Sequence, residues 1–247
     1  MAHTYETPGW QQYVMQWDQP HRELEPLERE VAIVDGALQA LVDAGILPHK
    51  RYDQERFLAH RAAVRDRFDI PWTAITPRLQ RLLYAISAIT RPQVLVAVGI
   101  FCGNTFISNA GAGVGPGACY TPRRLVGIEI RPEEAARAAR NVAQIDPDGR
   151  AEVIAADGIP WLEQCQDPID LLYLDADGQK GQGKSIYLEL VEAAQHCLHP
   201  GSIILAHNSV NCAADLPDYL AAMRDPARFR ESVNIVIDDQ GLEVTQK

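Results

Sequence analysis

The segment Val94-Leu95-Val96-Ala97-Val98-Gly99-Ile100-Phe101-Cys102-Gly103-Asn104-Thr105 constrains the fold more than any other part of this chain. Five apolar, mostly β-branched residues run into a glycine, a short turn, a second glycine and a helix-compatible stretch. A strand without polar alternation is buried on both faces, which is the habit of a parallel sheet covered by helices. The glycines let backbone approach a ligand closely, and a helix start offers unpaired N–H groups to an anion. A tight strand-to-helix turn with no ligand fits the same residues, so the remaining chain must separate the two readings.

Downstream, strand and helix alternate. Strands are expected at 124–130, 151–155, 169–174 and 202–206. Helices are expected at 132–144, with Pro132 in the first turn, through Trp161 and Leu162, at 184–197 and at 215–223. Segments 233–237 and 242–245 flank Asp238-Asp239-Gln240-Gly241, a hairpin signal. The pattern predicts an α/β fold, a doubly wound sheet of seven strands with the last one antiparallel. Gly111 to Gly117 reads as a flexible surface loop beside its mouth.

Upstream, Leu27, Val31, Val34, Leu38, Leu41 and Val42 recur at helical spacing until Gly45 and Pro48. A second helix is expected at 53–67 with Asp53 as N-cap, and a third at 79–89. The first two precede the first core strand, so they predict an N-terminal helical cap or an oligomer surface. Residues 1–22 carry Tyr5, Trp10, Tyr13 and Trp17 and read as a frayed tail or a flap over a pocket. The expected division is a flap and helical cap at 1–70 and a sheet domain at 71–247.

The formal charge of -10 argues against a nucleic-acid partner, whose phosphates need clustered Lys and Arg. Five scattered cysteines with no CxxC pair argue against a disulfide framework or a cysteine zinc site. The N-terminus lacks a basic-then-apolar signal, and no apolar run reaches a membrane span. The expectation is a soluble, cytoplasmic protein with no membrane partner.

In such a sheet, ligands bind beyond the carboxyl ends of the strands. There stand Gly99, Glu129, Asp157-Gly158, Asp175-Ala176-Asp177 and His207-Asn208. A solvated acidic rim accounts for any one of them but less well for all together, because like charges gathered on one rim repel one another. The turn after strand 94–98 misses G-x-G-x-x-G, and the chain has no G-x-x-x-x-G-K-[ST]. Glu129 remains well placed to hold a ribose diol. The expected ligand therefore carries a ribose but no pyrophosphate.

From about residue 72 to 247 the chain resembles class I S-adenosylmethionine-dependent methyltransferases, most closely the catechol and caffeoyl-coenzyme A O-methyltransferase group. Segment 94–105 is similar to the family's first motif, and Leu125-Val126-Gly127-Ile128-Glu129-Ile130-Arg131-Pro132 to its second. Ile169-Asp170-Leu171-Leu172-Tyr173-Leu174-Asp175-Ala176-Asp177 resembles its fourth strand, and Leu198-His199-Pro200-Gly201-Ser202-Ile203-Ile204-Leu205-Ala206-His207-Asn208 its fifth. The resemblance implies a Rossmann-like sheet with S-adenosylmethionine as cofactor. It puts the turn Gly99 to Gly103, with Cys102, beneath the methionine moiety and Thr105 on its carboxylate. It puts Glu129, beside Ile130, on the ribose hydroxyls, and Asp157 and Gly158 at the adenine edge. Trp72 and Thr73 match a cofactor-lining segment, and Asp175 and Asp177 would stand near the amino group and sulfonium.

Three departures bear on the chemistry. Ala97 stands where the family has an acid. The trio matching the family's metal ligands is Asp175, His207 and Asn208; the histidine makes a divalent metal doubtful, because Mg²⁺ prefers oxygen. The family's lysine base is replaced by Gly178, with Lys180 and Lys184 in an apparent insertion, 178–183 and just beyond. These losses favour methylation of an amine nitrogen over metal-assisted O-methylation of a catechol-like hydroxyl. Tyr5, Tyr13 and His207 are the candidate substrate-positioning or basic residues. The chain's general character also resembles actinomycete natural-product methyltransferases, including N-methyltransferases of lincosamide-type antibiotics. The expected partners are a small-molecule acceptor and further copies of the chain. A methyltransferase-like module that binds without transferring methyl is the reading from another class.

Overall fold

The structure, a computed structural model, describes residues 3–178 and 181–247. Lys180 therefore lies outside the described residues. The N-terminal part runs through β1 (His3–Glu6), α1 (Leu27–Asp43), α2 (Gln54–Arg67) and α3 (Pro77–Thr90). The alternating part follows with β2 (Val94–Val98), α4 (Asn104–Ala110), β3 (Arg124–Glu129), α5 (Pro132–Ile145), β4 (Ala151–Ala155) and α6 (Gly158–Gln164). It continues with β5 (Ile169–Leu174), α7 (Tyr187–Ala194), β6 (Leu198–His207), α8 (Pro217–Met223), β7 (Glu231–Val236) and β8 (Leu242–Gln246).

Local chemistry sets the helix starts. Asp53 accepts from the Arg56 N–H at 3.0 Å, as its N-cap position requires. Thr76 caps α3 in the same way, accepting from the Leu79 N–H at 3.2 Å, with Pro77 in the first turn.

One sheet holds all strands in the order β1-β7-β8-β6-β5-β2-β3-β4. Strands β2 to β6 run parallel, and β8 is antiparallel to both neighbours, β6 and β7. Chain order reverses between β2 and β5, which is where a doubly wound sheet opens a crevice. The sheet has eight strands rather than seven. The additional one is β1, which pairs in parallel with β7, Thr4 opposite Asn234 and Tyr5 opposite Ile235. It covers an edge that would otherwise present unpaired backbone. Its four residues, His3-Thr4-Tyr5-Glu6, have no apolar alternation to announce a strand.

The two faces of β2 divide the core. Leu95 and Ala97 join a cluster with Val34 and Leu38 of α1, Leu82 of α3, Phe106 of α4 and Val142 of α5. Val94, Val96 and Val98 join the opposite cluster, with Leu162, Leu190 and Tyr219 from α6, α7 and α8. Strand side chains alternate between faces, so one strand serves both layers. The centre of the α1 stripe, Val34, Leu38 and Leu41, is therefore buried inside the chain, while Leu27 at its start stays exposed. Its buried Glu30 meets the Arg61 and Arg81 guanidiniums, and Glu25 meets Arg78 at 2.6 Å. No helix among the described residues is long and apolar enough to cross a membrane.

The segment 111–117 is not a mobile loop at a mouth. Gly111, Ala112, Gly113 and Val114 are buried, and the Tyr84 hydroxyl donates to the Gly117 carbonyl at 2.6 Å. A Cβ on Gly111 would overlap the His60 ring. Gly111 and Gly117 answer a packing constraint against His60 of α2. Gly111→Ala should therefore destabilise the protein by about 1–3 kcal/mol in urea unfolding, the cost of overpacking a filled core; an unchanged midpoint would mark the segment as loosely held.

Candidate active site

A cleft of about 520 Å³ lies across the carboxyl ends of the central strands, at the reversal between β2 and β5. The ladder holds to the very edge. The Gly99 N–H donates to the Ile128 carbonyl at 2.8 Å, and the Asp175 N–H to the Val98 carbonyl at 2.9 Å. Gly99 has φ +82°, and a Cβ there would overlap the backbone of Ala176. Only glycine lets the two loops close on one another here. Gly103, with φ +89°, turns the chain into α4, and Asn141 of α5 pins the turn by donating to the Cys102 carbonyl at 2.9 Å. Burial pushes the Cys102 thiol up to about 11, so it packs as a neutral group.

Glu129, buried at the end of β3, accepts from the Phe101 N–H at 2.8 Å and from the Arg131 N–H at 3.1 Å. These bonds fix its carboxylate while leaving acceptor capacity toward the cleft. Asp157 caps α6 through the Ile159 N–H at 3.0 Å and keeps an exposed carboxylate. A Cβ on Gly158 would overlap Val98, so the rim is again shaped by an absent side chain. Over the turn lies a ledge of aromatic rings: Trp72 sits 4.7 Å from Phe101 and 5.7 Å from Trp17. The Thr73 N–H donates to the Trp17 carbonyl at 2.9 Å, tying the N-terminal segment to the cleft wall.

Asp175, just past β5, is the electrostatic centre. Its Oδ1 lies 3.0 Å from Lys184 Nζ, and its Oδ2 lies 3.2 Å from His207 Nδ1 and 3.3 Å from the Tyr173 hydroxyl. Burial alone would raise its pKa, but Lys184 and His207 outweigh that and hold it at about 2. Burial likewise works against the charged form of Lys184, yet Asp175 and Asp177 prevail and raise its pKa. Both groups are ionised at neutral pH, so Lys184 cannot serve as a neutral base.

Residues 96–209 match a family described as a methyltransferase domain. The fold is similar to several solved structures. An SAH-bound methyltransferase, PaMTH1 of Podospora anserina, is 17% identical, with 92% of this chain and 99% of that one covered and a TM-score of 0.61. The O-methyltransferase of Bacillus cereus in complex with SAH is 19% identical, covering 85% and 97%, at 0.57. The O-methyltransferase TomG of Streptomyces achromogenes, in complex with SAM, is 21% identical, covering 90% and 99%, at 0.57. A sequence search of curated proteins gives no match. Residues 96–209 thus carry the sequence of a methyltransferase domain, in a fold shared with SAM- and SAH-bound methyltransferases.

The methyltransferase cleft gathers most of the residues singled out from sequence. Trp72, Thr73, Gly99, Cys102, Thr105, Glu129, Ile130, Asp157, Gly158, Asp175, Asp177 and His207 all line it. Tyr5 and Tyr13 do not. Tyr5 is carried by β1 at the far edge of the sheet, with its hydroxyl against Gly36 of α1. Tyr13 is buried beneath the Arg78 guanidinium, 3.5 Å from the ring centroid. Burial raises both phenols, which disfavours a phenolate further. Pairing with β7 and stacking on Arg78 hold the two rings away from the cleft. Conversely, the cleft includes Trp17, Lys184, Asn211 and Gln240. Lys184 was signalled by the insertion after Asp177; Asn211 and Gln240 carry no spacing signal and are brought in by the loop after β6 and the β7–β8 turn.

The trio Asp175, His207 and Asn208 is a poor match for Mg²⁺, because one donor is an imidazole and the carboxylate is already paired with Lys184. Lys184 occupies Asp175 and Asp177, and the Asn208 amide donates to Gln240 Oε1 at 2.9 Å and Asn211 Oδ1 at 3.1 Å. Among the described residues no cluster of three His, Cys, Asp or Glu side chains is arranged to hold a metal.

Asp175 has a folded pKa below its ordinary 3.8, so its contribution to stability is present above about pH 4 and lost as pH falls through about 2. Asp175→Asn, which leaves the buried Lys184 ammonium with Asp177 as its one carboxylate partner, should lower stability at pH 7 by about 1–3 kcal/mol. Urea unfolding followed with pH should show that deficit shrinking below pH 4; a deficit constant with pH would place the effect elsewhere.

Proposed function

We propose that this methyltransferase transfers the methyl group to an amine nitrogen of a small, natural-product-type acceptor, without help from a divalent metal. The observation that carries the reading is the Asp175–His207 pair. Asp175 Oδ2 lies 3.2 Å from His207 Nδ1, and a carboxylate there favours the tautomer that carries its proton on Nδ1 and leaves the Nε2 lone pair free. Both ring nitrogens are buried and neither makes a well-aligned hydrogen bond among the described residues, so Nε2 has no competing partner.

When bound, S-adenosylmethionine supplies a methyl group on a cationic sulfur, ready for in-line displacement. The protein's part is to position and desolvate. In this reading the Gly99–Gly103 turn supports the methionine moiety, Thr105 bonds its carboxylate and Glu129 takes the ribose hydroxyls. Asp157 and Gly158 border the adenine. Asp175 and Asp177 face the amino group and sulfonium, with Trp72 and Thr73 closing the side. The acceptor lies toward His207, Asn208, Asn211 and Gln240. An alkylamine arrives largely protonated at neutral pH, and His207 Nε2 receives that proton so that the nitrogen lone pair can attack. Residues 1–70 act as flap and helical cap over the 71–247 domain, with Trp17 as the part that reaches the cleft.

A hydroxyl acceptor is the second reading, because two of the similar structures are described as O-methyltransferases. Turnover of candidate acceptors with and without a strong chelator separates the two: N-methyl product and chelator-independent rates are expected, and loss of activity on chelation would overturn the amine reading. Calorimetry with S-adenosylhomocysteine tests the cofactor site. Glu129→Ala should weaken binding by about 1–3 kcal/mol, the loss of hydrogen bonds to a charged group. His207→Ala should lower kcat about 10²–10⁴-fold with cofactor affinity preserved. Tight cofactor binding with no turnover on any acceptor would favour a binding module.

A further inference from the structure

We infer that Lys184 is the resident cation of the methyltransferase cleft: its ammonium, held by Asp175 and Asp177, takes the Asp175 carboxylate charge for which a divalent metal would otherwise compete. The inference deepens the metal-free reading above and rests on it only for what the cleft is used for.

An ammonium has three N–H donors. Three oxygens are arranged around Lys184 Nζ: the Asp175 carbonyl at 2.8 Å, Asp175 Oδ1 at 3.0 Å and Asp177 Oδ1 at 3.2 Å. The donors are matched by acceptors. Carboxylate and carbonyl oxygens are also the ligands that Mg²⁺ and Mn²⁺ prefer, so the lysine has taken a hard-cation environment. The side chain is buried, with its ammonium 5.7 Å from the centre of the Tyr187 ring.

The backbone delivers the lysine there by a specific turn. Gly183–Ile186 forms a 3-10 turn, with Gly183 at φ +50°. A Cβ on Gly183 would overlap the Asp215 carboxylate, whose Oδ2 also accepts from the Lys184 N–H at 3.4 Å. The Gly178 N–H donates to the Gly183 carbonyl at 2.8 Å and closes the loop. An insertion in the chain thus carries a tethered positive charge back to the end of β5.

A tethered ammonium differs from a metal in two ways. No chelator removes it, and it carries one charge instead of two. It neutralises one of the two carboxylates and offers no open coordination position to an acceptor oxygen. An arriving amine meets a fixed like charge, which disfavours its protonated form.

The test is Mn²⁺ binding, read by electron paramagnetic resonance and calorimetry on the full chain. Wild type and Lys184→Arg, which keeps a cation, should show no saturable site below about 1 mM Mn²⁺. Lys184→Met, and Lys184→Ala as a second variant, should gain one site at least about tenfold tighter. Saturable Mn²⁺ binding by the wild type, or no gain in folded Met and Ala variants, would overturn the inference. S-adenosylhomocysteine binding measured on the same samples keeps the two readings apart: its absence in the wild type would sink the assigned use of the cleft, while the Mn²⁺ comparison would still decide the role of Lys184.

Discussion

The site depends on a close approach of two backbone segments, Gly99 after β2 and Ala176 after β5. Neighbouring parallel strands that end in ordinary loops would splay apart under their side chains. Here the missing Cβ of Gly99 lets the loops touch while the ladder stays bonded through Gly99 and Asp175. That contact puts the glycine turn, the Glu129 carboxylate and the Asp175 carboxylate around one volume. Backbone positions the site, and flexible side chains are spared the task.

On that frame the electrostatics follow from burial and proximity. Asp175 sits in surroundings that would favour its neutral form, and Lys184 and His207 reverse that preference. The same carboxylate therefore does two things. It anchors a lysine ammonium through Oδ1, and through Oδ2 it faces the buried His207 imidazole.

The N-terminal residues are bound into the fold by a different means. Arg78 and Arg81 on α3 meet Glu25 and Glu30, and Arg78 also covers the Tyr13 ring. Buried guanidiniums of this kind persist because planar, multi-donor groups can satisfy carboxylates with little reorganisation. They explain why Tyr13, an attractive positioning residue in the sequence, is a wall component instead. They also hold the chain so that Trp17 emerges at the cleft.

The sequence by itself determined the alternation of strands and helices, the antiparallel final strand, the cap Asp53, and the rim of Gly99, Glu129, Asp157, Asp175 and His207. Each of these is written in a few adjacent residues, through side-chain periodicity, turn chemistry or position at a strand end. The tertiary structure alone decided that β1 closes the sheet edge, that 111–117 is packed beneath His60, that Tyr5 and Tyr13 stand away from the cleft, and that Lys184, Asn211 and Gln240 enter it. Those outcomes turn on which distant surfaces meet. A four-residue edge strand, a glycine needed for packing and a lysine at the end of an insertion look ordinary in one dimension, because their partners, β7, His60 and Asp175, are chosen only when the chain has folded.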